Sequence, residues 1–189
     1  MSIFRPNYTD YTDEALMQAI AQRNERAFAV LYERYSPRMY RFFFRMFWKN
    51  ASKAEDFTQE IFLKIIEKPH LFDTERNFRT WIYTLAYNLC KNEYRRPPPL
   101  EITWDEPNLW DDPMPEKMDK ERFEAHLRHS IATLSETHRQ CFILRYQEEL
   151  SVLEIAEIVG CPEGTVKSRL HHALRQVAGQ MEVWKHEKY

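Results

Sequence analysis

The scarcity of glycine constrains the fold of this chain most strongly, because only three glycines occur in 189 residues. Tight turns between strands depend on residues that adopt positive φ without strain, and glycine is the main one. Hydrophobic residues make up 43% of the chain and charged residues 30%, so it can bury a core in water. The sequence therefore predicts an all-α protein of one domain or two small ones.

The number and spacing of the three cysteines argue against a disulfide-rich protein and against a zinc-binding one. Cys90, Cys141 and Cys161 are far apart and form no CxxC pair, so we expect neither a disulfide framework nor a zinc site. No cofactor is predicted. The N-terminal residues lack the apolar run of a signal peptide, and no stretch is long and apolar enough to span a bilayer. The expected location is the cytoplasm.

Helix starts in the first half are predicted from capping residues. Thr12 precedes two acids, Asn24 precedes an apolar helical stripe, and Ser36 stands before Pro37, so each predicts a helix start. The pattern Ser52 to Glu55 is a capping box, which predicts a further helix from Ala54 to about Lys68.

That further helix has two unlike faces. Its inner seam is expected to consist of Phe57, Ile61, Phe62 and Ile65. Its outward side chains are expected to be Asp56, Gln59, Glu60 and Lys64. Taken alone, the outward set is interpreted as a solvated face.

The stretch Asn77–Arg96 also divides into two faces when placed on a helix at roughly 100° per residue. The predicted inner face is Phe78, Trp81, Ile82, Leu85, Ala86 and Leu89. The predicted outer face is Arg79, Thr80, Tyr83, Thr84, Tyr87, Lys91, Tyr94 and Arg95. Rings among cations suit single-stranded nucleic acid, because rings stack on bases and cations hold phosphates. An ordinary amphipathic helix whose tyrosines half-bury against a neighbour fits this pattern equally well.

Charge is unevenly distributed along the chain, whose net charge is −2. Residues 1–96 carry +4, residues 97–117 carry −5 and residues 118–189 carry −1. The middle segment holds six of the ten prolines and is predicted to be an extended, acidic, proline-rich linker between two helical domains. Because the chain is not a bulk polycation, nucleic-acid binding would depend on local faces.

The second domain contains a helix-turn-helix pattern after a helix capped by Ser135. Ser151 and Glu154 form a capping box, and Ala156, Gly160 and Val166 follow at helix-turn-helix spacing. On its second helix, Val166, Leu170, Ala173, Leu174 and Val177 are predicted to face inward. The remaining side chains of this helix are available to a DNA major groove: Thr165, Lys167, Ser168, Arg169, His171, His172 and Arg175. A helical hairpin without a DNA role is the alternative, and adjacent histidines diverge too far to share a metal.

In this order, the segments resemble the extracytoplasmic-function group of bacterial RNA polymerase sigma factors. Residues 54–65, AEDFTQEIFLKI, are similar to the family's polymerase-binding helix, in which Asp56, Gln59 and Glu60 match D-x-x-Q-E. Residues 77–96 resemble the helix that recognises and opens the −10 element. Residues 154–177 resemble the helix-turn-helix that reads the −35 element through G-T-V-K-S-R.

The resemblance implies a role for each part of the chain. Residues 1–96 would be the four-helix sigma domain 2, residues 97–117 a linker through the polymerase channels, and residues 118–189 sigma domain 4. Core polymerase would bind through its β′ coiled coil and β flap, the former at Asp56, Phe57, Gln59, Glu60 and Lys64. The −10 element would contact Arg79, Thr80, Tyr83, Tyr87, Asn88, Lys91 and Arg95. The −35 element would contact Thr165, Lys167, Ser168, Arg169, His171, His172 and Arg175. The loop at 71–77 would hold a flipped base, and an anti-sigma factor is an implied partner.

Two alternatives stand beside the sigma interpretation. A stand-alone helix-turn-helix regulator would bind DNA without polymerase, but it leaves the D-x-x-Q-E pattern without a role. An enzyme would use His70, Asp73 and Glu75 as a hydrolytic or metal cluster. Three such residues in one loop, without a second ligand group, fit that chemistry poorly, so no catalytic residues are predicted.

Overall fold

The computed structural model describes residues 7–47, 49–95 and 117–187, and every regular element in these ranges is a helix. The prediction of an all-α chain is therefore confirmed. The predicted linker lies outside the described residues, except that Lys117 already begins a helix. None of the helices in these ranges has the length and apolar character needed to cross a bilayer.

The described residues divide into two compact units. One comprises those up to Glu93 together with Ala156–Gly160, and the other comprises the rest. The helices of the first half are α1 (Asp13–Ala21), α2 (Glu25–Met46), α3 (Ala51–Glu67) and α4 (Phe78–Tyr94), with 3-10 turns at Tyr8–Asp10 and Pro69–Leu71. Four α-helices agree with the four-helix domain that the resemblance implies.

Two of the predicted helix starts are confirmed by side-chain caps. The hydroxyl of Thr12 accepts a hydrogen bond from Ala15 N at 3.2 Å at the start of α1. The amide oxygen of Asn24 accepts from Arg26 N and Ala27 N, at 3.1 and 3.0 Å, at the start of α2. Each cap satisfies backbone N–H groups that have no partner inside the helix.

The predicted helix start at Ser36-Pro37 is wrong, because α2 runs through Pro37 as one helix of 22 residues. Proline inside a helix removes one backbone hydrogen bond and costs about 3 kcal/mol. Tyr35 and Met39 flank the proline and are both buried. Because burial of one such side chain contributes roughly 1.5–3 kcal/mol, packing on both sides of Pro37 offsets the local penalty.

The predicted Ser52 cap is also wrong. The helix α3 begins two residues after Lys49, which has a positive φ of 63°. Asn50 is the N-cap, and its side-chain oxygen accepts from Lys53 N at 2.9 Å. Asparagine caps helices as well as serine does, so the earlier cap is used and Ser52 lies inside the first turn.

The core of the first unit is built around α2. This helix packs against α1 and α3, and edge-to-face ring pairs join it to α4. The rings of Tyr35 and Phe78 lie 5.0 Å apart, and those of Phe42 and Tyr83 lie 5.6 Å apart. Such pairs add specific geometry to the apolar burial of the rings. These ring pairs define the position of α4 along α2 and the rotation of α4 about its own axis.

The second half contains α5 (Lys117–Ala132), α6 (Glu136–Tyr146), α7 (Val152–Val159) and α8 (Glu163–Glu187). The helix α8 packs against both α5 and α6. Their shared core consists of Leu134, Phe142, Ala173 and Val177, with Leu127, Ile131 and Met181 packed at its edge. Ser135 is the N-cap of α6, as predicted, although its hydroxyl makes no cap hydrogen bond.

The helix-turn-helix begins with the predicted capping box. Ser151 N donates to Glu154 Oε2 at 2.7 Å, and Glu154 N donates to Ser151 Oγ at 3.2 Å. Gly160 follows α7 with a φ of 67°, a left-handed conformation that glycine adopts without strain. Val166 of α8 is fully buried. The local signature predicted for this motif is confirmed at these four residues.

Candidate functional site

The outer face of α3 carries the predicted polar side chains. Asp56 and Gln59 are exposed, and Glu60 Oε1 pairs with Lys64 Nζ at 2.6 Å. Phe57 is half-buried, and its ring lies 5.6 Å from a phenylalanine ring of α2. Phe57 therefore packs beneath this face against α2. The polar side chains Asp56, Gln59, Glu60 and Lys64 are accessible to a partner.

Two large apolar side chains also lie on the outer face of α3. Leu63 is 54% exposed and Ile66 is 50% exposed. They stand four and seven residues after Gln59, so they share its stripe. They were not predicted, because only polar residues were expected on this face, although both fall outside the predicted inner seam. We define Asp56, Gln59, Glu60, Leu63 and Ile66 as the α3 surface.

The predicted outer face of α4 is wrong for Thr80, Tyr83 and Tyr87, which are all buried. Tyr83 is only 1% exposed and packs edge-to-face on Phe42. At 100° per residue, the buried face is turned about a quarter of a turn from the predicted one. Tyrosine rings bury large apolar areas, so they compete with leucine for the core. A ring buried in this way cannot stack on a base.

Helix α4 nevertheless presents an aromatic and polar stripe. Trp81 and Leu85, both predicted to face inward, are half-buried, while Asn88, Asn92 and Arg95 are exposed. These residues are spaced by three or four, so they lie on one face of the helix. We define these five residues as the α4 stripe. Of the residues predicted to contact the −10 element, the α4 stripe includes Asn88 and Arg95.

The two other predicted cations of α4, Lys91 and Arg79, lie outside this stripe. Lys91 is half-buried, at its edge. Arg79 is half-buried, and its charge acts on the Tyr35 hydroxyl of α2. Burial and a hydrogen bond to Asp13 raise the pKa of Tyr35, while Arg38 and Arg79 oppose that rise. Arg79 is therefore less accessible to DNA than Arg95, which is exposed.

The loop between α3 and α4 contains the residues considered for an enzyme. Asp73 Oδ1 accepts from Glu75 N at 3.1 Å, and Asp73 Oδ2 lies 3.6 Å from Arg76 Nε. These are the contacts of a turn that asparagine or aspartate stabilises locally. Within the described ranges, no three His, Cys, Asp or Glu side chains are placed to hold a metal ion.

Phe72 attaches this loop to the α4 stripe. Its ring is buried and lies 5.1 Å from Trp81 and 5.4 Å from Phe78. Leu71, the preceding residue, is exposed. The loop and the exposed edge of Trp81 therefore form one continuous surface of the first unit.

All seven side chains predicted for the recognition helix lie outside the core. Exposed on α8 are Lys167, Ser168, His171, His172 and Arg175, and half-buried are Thr165 and Arg169. Leu174, predicted to face inward, is 43% exposed, which corrects that assignment. The buried side chains of α8 are Val166, Leu170, Ala173 and Val177, and Leu174 falls at the edge of their narrow stripe.

Two cations of α8 have neighbours in the unit. Lys167 Nζ lies 3.5 Å from Glu163 Oε2, an exposed pair of the kind that contributes little. Arg169 Nη1 donates to Cys161 Sγ at 3.7 Å. Burial raises the pKa of the Cys141 thiol, which also contacts Arg169. Lys167 is thus available to an anion, whereas Arg169 is partly engaged.

Two family models match the chain in the order in which its helices occur. Sigma-70 region 2 matches residues 31–97, and Sigma-70, region 4 matches residues 125–177. The first range contains the α3 surface and the α4 stripe, and the second contains the helix-turn-helix. The fold and these matches define a helical transcription initiation factor.

Curated relatives match over nearly the whole chain. The ECF RNA polymerase sigma factor RpoE of Cereibacter sphaeroides is 34% identical over 181 residues, which cover 92% of this chain and 97% of that protein. The RNA polymerase sigma-H factor of Pseudomonas aeruginosa is 32% identical over 177 residues, which cover 87% and 91%. The chain belongs to the extracytoplasmic-function (ECF) RNA polymerase sigma factors. It is a sigma subunit, which binds core polymerase and directs promoter-specific initiation.

Solved structures share this fold. CnrH in complex with the cytosolic domain of CnrY matches with a TM-score of 0.69 and 21% identity, covering 90% of this chain and 97% of that one. The sigma factor RpoE in complex with the anti-sigma factor NepR from Bartonella quintana matches with a TM-score of 0.58 and 21% identity, covering 78% and 92%.

Proposed function

We propose that the parts of this sigma factor divide its work. Residues 1–96 bind core polymerase and capture the −10 element, residues 97–117 pass through the polymerase channels, and residues 118–189 read the −35 element and contact the β flap. The positions of the region 2 and region 4 matches support this division. The observation that carries the proposal is the α3 surface, where two unburied apolar side chains stand among polar ones.

The α3 surface has the composition of a docking site for the β′ coiled coil. Interfaces between proteins commonly bury an apolar centre and leave a polar rim in contact with water. Leu63 and Ile66 supply the centre, and Asp56, Gln59 and Glu60 supply the rim. The rim carboxylates favour a partner with cations at matching positions, which fixes the orientation of docking.

Substitution of the α3 surface tests this docking site. Leu63→Ser, and separately Asp56→Ala with Gln59→Ala, are expected to weaken binding to core polymerase about tenfold or more, because central apolar contacts dominate interfaces. Both variants are expected to keep their thermal stability, since these side chains are exposed. Glu33→Ala, an exposed carboxylate on α2, is the control. Unchanged affinity of both variants would contradict the assignment.

The α4 stripe is proposed to hold the non-template strand of the −10 element. Trp81 offers a ring edge for stacking, Asn88 and Asn92 offer amides to bases, and Lys91 and Arg95 offer charge to phosphates. Flipping a base costs a few kcal/mol, and stacking returns about 1–3 kcal/mol per base. The adjoining loop at 71–77 is proposed to receive the flipped base.

The exposed face of α8 is proposed to enter the −35 major groove. Lys167 and Arg175 can donate to guanine or phosphate oxygens, and Ser168 can donate to or accept from either base edge. A recognition helix reads bases from its N-terminal turns, where Thr165 to Ser168 lie. These contacts are few, so they suit a subunit whose DNA binding is supplemented by polymerase.

Run-off transcription tests the whole proposal. Purified core polymerase is supplied with a library of promoter fragments, with and without this chain. Transcripts that depend on the chain and arise from a subset of fragments are expected, and their starts report the promoter sequence. Binding of DNA without any binding of core polymerase would favour the stand-alone regulator instead.

We propose further that the chain acts in the cytoplasm under control of an anti-sigma factor. The family of the chain and the exposed apolar side chains of the α3 surface support this, because such a surface binds an inhibitor as readily as polymerase. Proteins that copurify with the chain are to be added back to run-off reactions. An anti-sigma factor is expected to abolish transcription with wild-type chain and to be displaced by excess core polymerase.

A further inference from the structure

A groove between α6 and α8 collects basic side chains in the second unit. Its lining residues are His138, His172, Arg175, Gln176, Gly179 and Gln180. Three of these can carry positive charge, and none of the described lining residues is acidic. We call this surface the histidine groove. His138, which comes from α6, was not among the residues predicted to contact DNA.

The side chains of the histidine groove are held in place by neighbours. The imidazole rings of His138 and His172 stack with centroids 5.8 Å apart and an interplanar angle of 25°. Gln176 Nε2 donates to Thr133 O at 3.2 Å, and Gln180 Nε2 donates to Thr133 Oγ1 at 3.0 Å. The groove is therefore formed before any ligand enters, which lowers the entropy cost of binding.

The electrostatics of the groove favour an anion. Burial and the positive charges of His172 and Arg169 lower the pKa of His138, so its imidazole is mainly neutral in the free protein at neutral pH. Arg175 adds a permanent charge to the same lining. An anion among these groups would offset their repulsion and favour protonation of His138.

Nearby acids are already engaged by other side chains. Glu136, two residues before His138, accepts from Gln140 Nε2 at 2.9 Å. On α5, the other helix packed against α8, Glu124 Oε2 lies 3.6 Å from Arg128 Nη1. Neither carboxylate is among the lining residues of the histidine groove.

We propose that the histidine groove binds a phosphate of the DNA backbone beside the −35 element and takes up a proton as it does so. The inference rests on the proposed role of α8. His172 and Arg175 lie four and seven residues after Ser168, on the same exposed face of α8. A duplex whose major groove meets Ser168 therefore brings its backbone towards His138. Promoter affinity is thereby coupled to pH through a side chain that reads no base.

The test measures binding of the holoenzyme to a −35 duplex at pH 6 and pH 8 and at constant ionic strength. Binding is expected to be about fivefold tighter at pH 6, because proton uptake on binding favours the complex in acid. The salt slope is expected to be larger at pH 6 by about one phosphate contact. Replacing one backbone phosphate with a neutral methylphosphonate, at a single position, is expected to remove the pH effect.

Variants separate His138 from other histidines. His138→Asn is expected to retain the affinity at pH 8 and to reduce the pH ratio to about twofold or less. His138→Arg is expected to bind tightly at both pH values. It replaces His138→Asn in the test if the asparagine variant is unstable. His129→Asn, an exposed histidine on α5, is the control and should keep the full ratio.

The outcomes distinguish this inference from the function on which it rests. Sequence-dependent −35 binding with an unchanged pH ratio in both His138 variants would overturn the histidine groove alone. The same holds if no single methylphosphonate removes the pH effect. Absence of −35-dependent binding at either pH would overturn the proposed role of α8 and the groove with it.

Discussion

Glu14 fixes the beginning of α4 through one hydrogen bond. Phe78 N donates to Glu14 Oε1 at 3.0 Å, across 64 residues of sequence. Burial opposes ionisation of Glu14, but hydrogen bonds from Phe78 N, from its own N and from the Thr12 hydroxyl outweigh it and hold the pKa below its usual value. A carboxylate at a helix N-terminus is also favoured by the helix dipole.

Glu14→Gln is expected to lower the free energy of unfolding by about 1–2 kcal/mol at pH 7, because a charge-assisted hydrogen bond is weakened. A lowered pKa means that this stabilisation is complete above the unfolded value of about 4.3 and is lost as pH falls through the folded value. Urea unfolding at pH 7 and pH 3 checks this. The two proteins should converge at pH 3, and an equal difference at both pH values would contradict the role of ionised Glu14.

Gly160 permits a test of backbone conformation without a steric effect. Apart from Gly160 and its two chain neighbours, no described heavy atom lies within 4 Å of the position that a Cβ would take, so Gly160→Ala adds no clash. Its φ of 67° is expected to cost about 1–2 kcal/mol with any other side chain. Gly164→Ala, in the first turn of α8 and equally open, is the control and should be neutral or stabilising by up to about 1 kcal/mol. Thermal unfolding of both variants measures the difference, and equal shifts would contradict this explanation.

At the scale of helices, three starts were predictable from side chains that cap their own helix, whereas α3 offered two local caps, and Asn50 is used in place of the predicted Ser52. Thr12, Asn24 and the Ser151–Glu154 box act through bonds within three residues, so the sequence contains the whole interaction. Pro37 and the rotation of α4 were not predictable in this way. Both depend on burial against other helices, and both sides of α4 carry rings or aliphatic side chains that fit a core.

The candidate sites show the same difference between features set by the local sequence and features set by packing between helices. The polar residues of α3 and α8 were correctly placed outside the core because helical periodicity separates them from apolar neighbours. Leu63 and Ile66 lie outside the predicted inner seam, but they were not predicted at the surface because apolar residues were expected only in the core. His138 meets His172 only because α6 packs on α8, which no local pattern encodes.

The corrected face of α4 leads to opposite expectations for two aromatic residues. Trp81→Ala is expected to slow promoter opening about tenfold while leaving duplex binding nearly unchanged, because base stacking is worth about 1–3 kcal/mol. It is also expected to lower the stability of the first unit, because the half-buried Trp81 ring packs on Phe72 and Phe78. Permanganate reactivity of the melted region and duplex affinity measure the two effects. An unaltered opening rate would contradict the proposed role of the α4 stripe in holding the non-template strand.

Tyr83→Ala is instead expected to destabilise the first unit by about 3–5 kcal/mol, because it removes a fully buried ring. Urea unfolding measures this loss. Tyr83→Phe keeps the ring and is the matched control, with a smaller loss expected. A stable Tyr83→Ala variant with a specific opening defect would restore the original assignment of this residue to DNA.

At the scale of the whole molecule, a net charge of −2 limits DNA binding by the free chain. We expect the chain alone to bind promoter duplex with a Kd of about 10⁻⁶ M or weaker at physiological salt. Core polymerase is expected to tighten binding by about a hundredfold or more, since linked contacts act at high effective concentration. Anisotropy titrations with and without core polymerase measure both values. Nanomolar binding by the free chain would contradict this expectation.

The α3 surface also has a consequence for how much transcription the chain supports. Leu63 and Ile66 can be covered by only one protein at a time. With core polymerase docked on this surface as proposed, any other protein that covers these two side chains competes with it, and the fraction of chain in holoenzyme follows from the two affinities and concentrations by mass action. The output of a promoter would then respond to the abundance of a competitor, while the amount and sequence of the sigma factor stay constant.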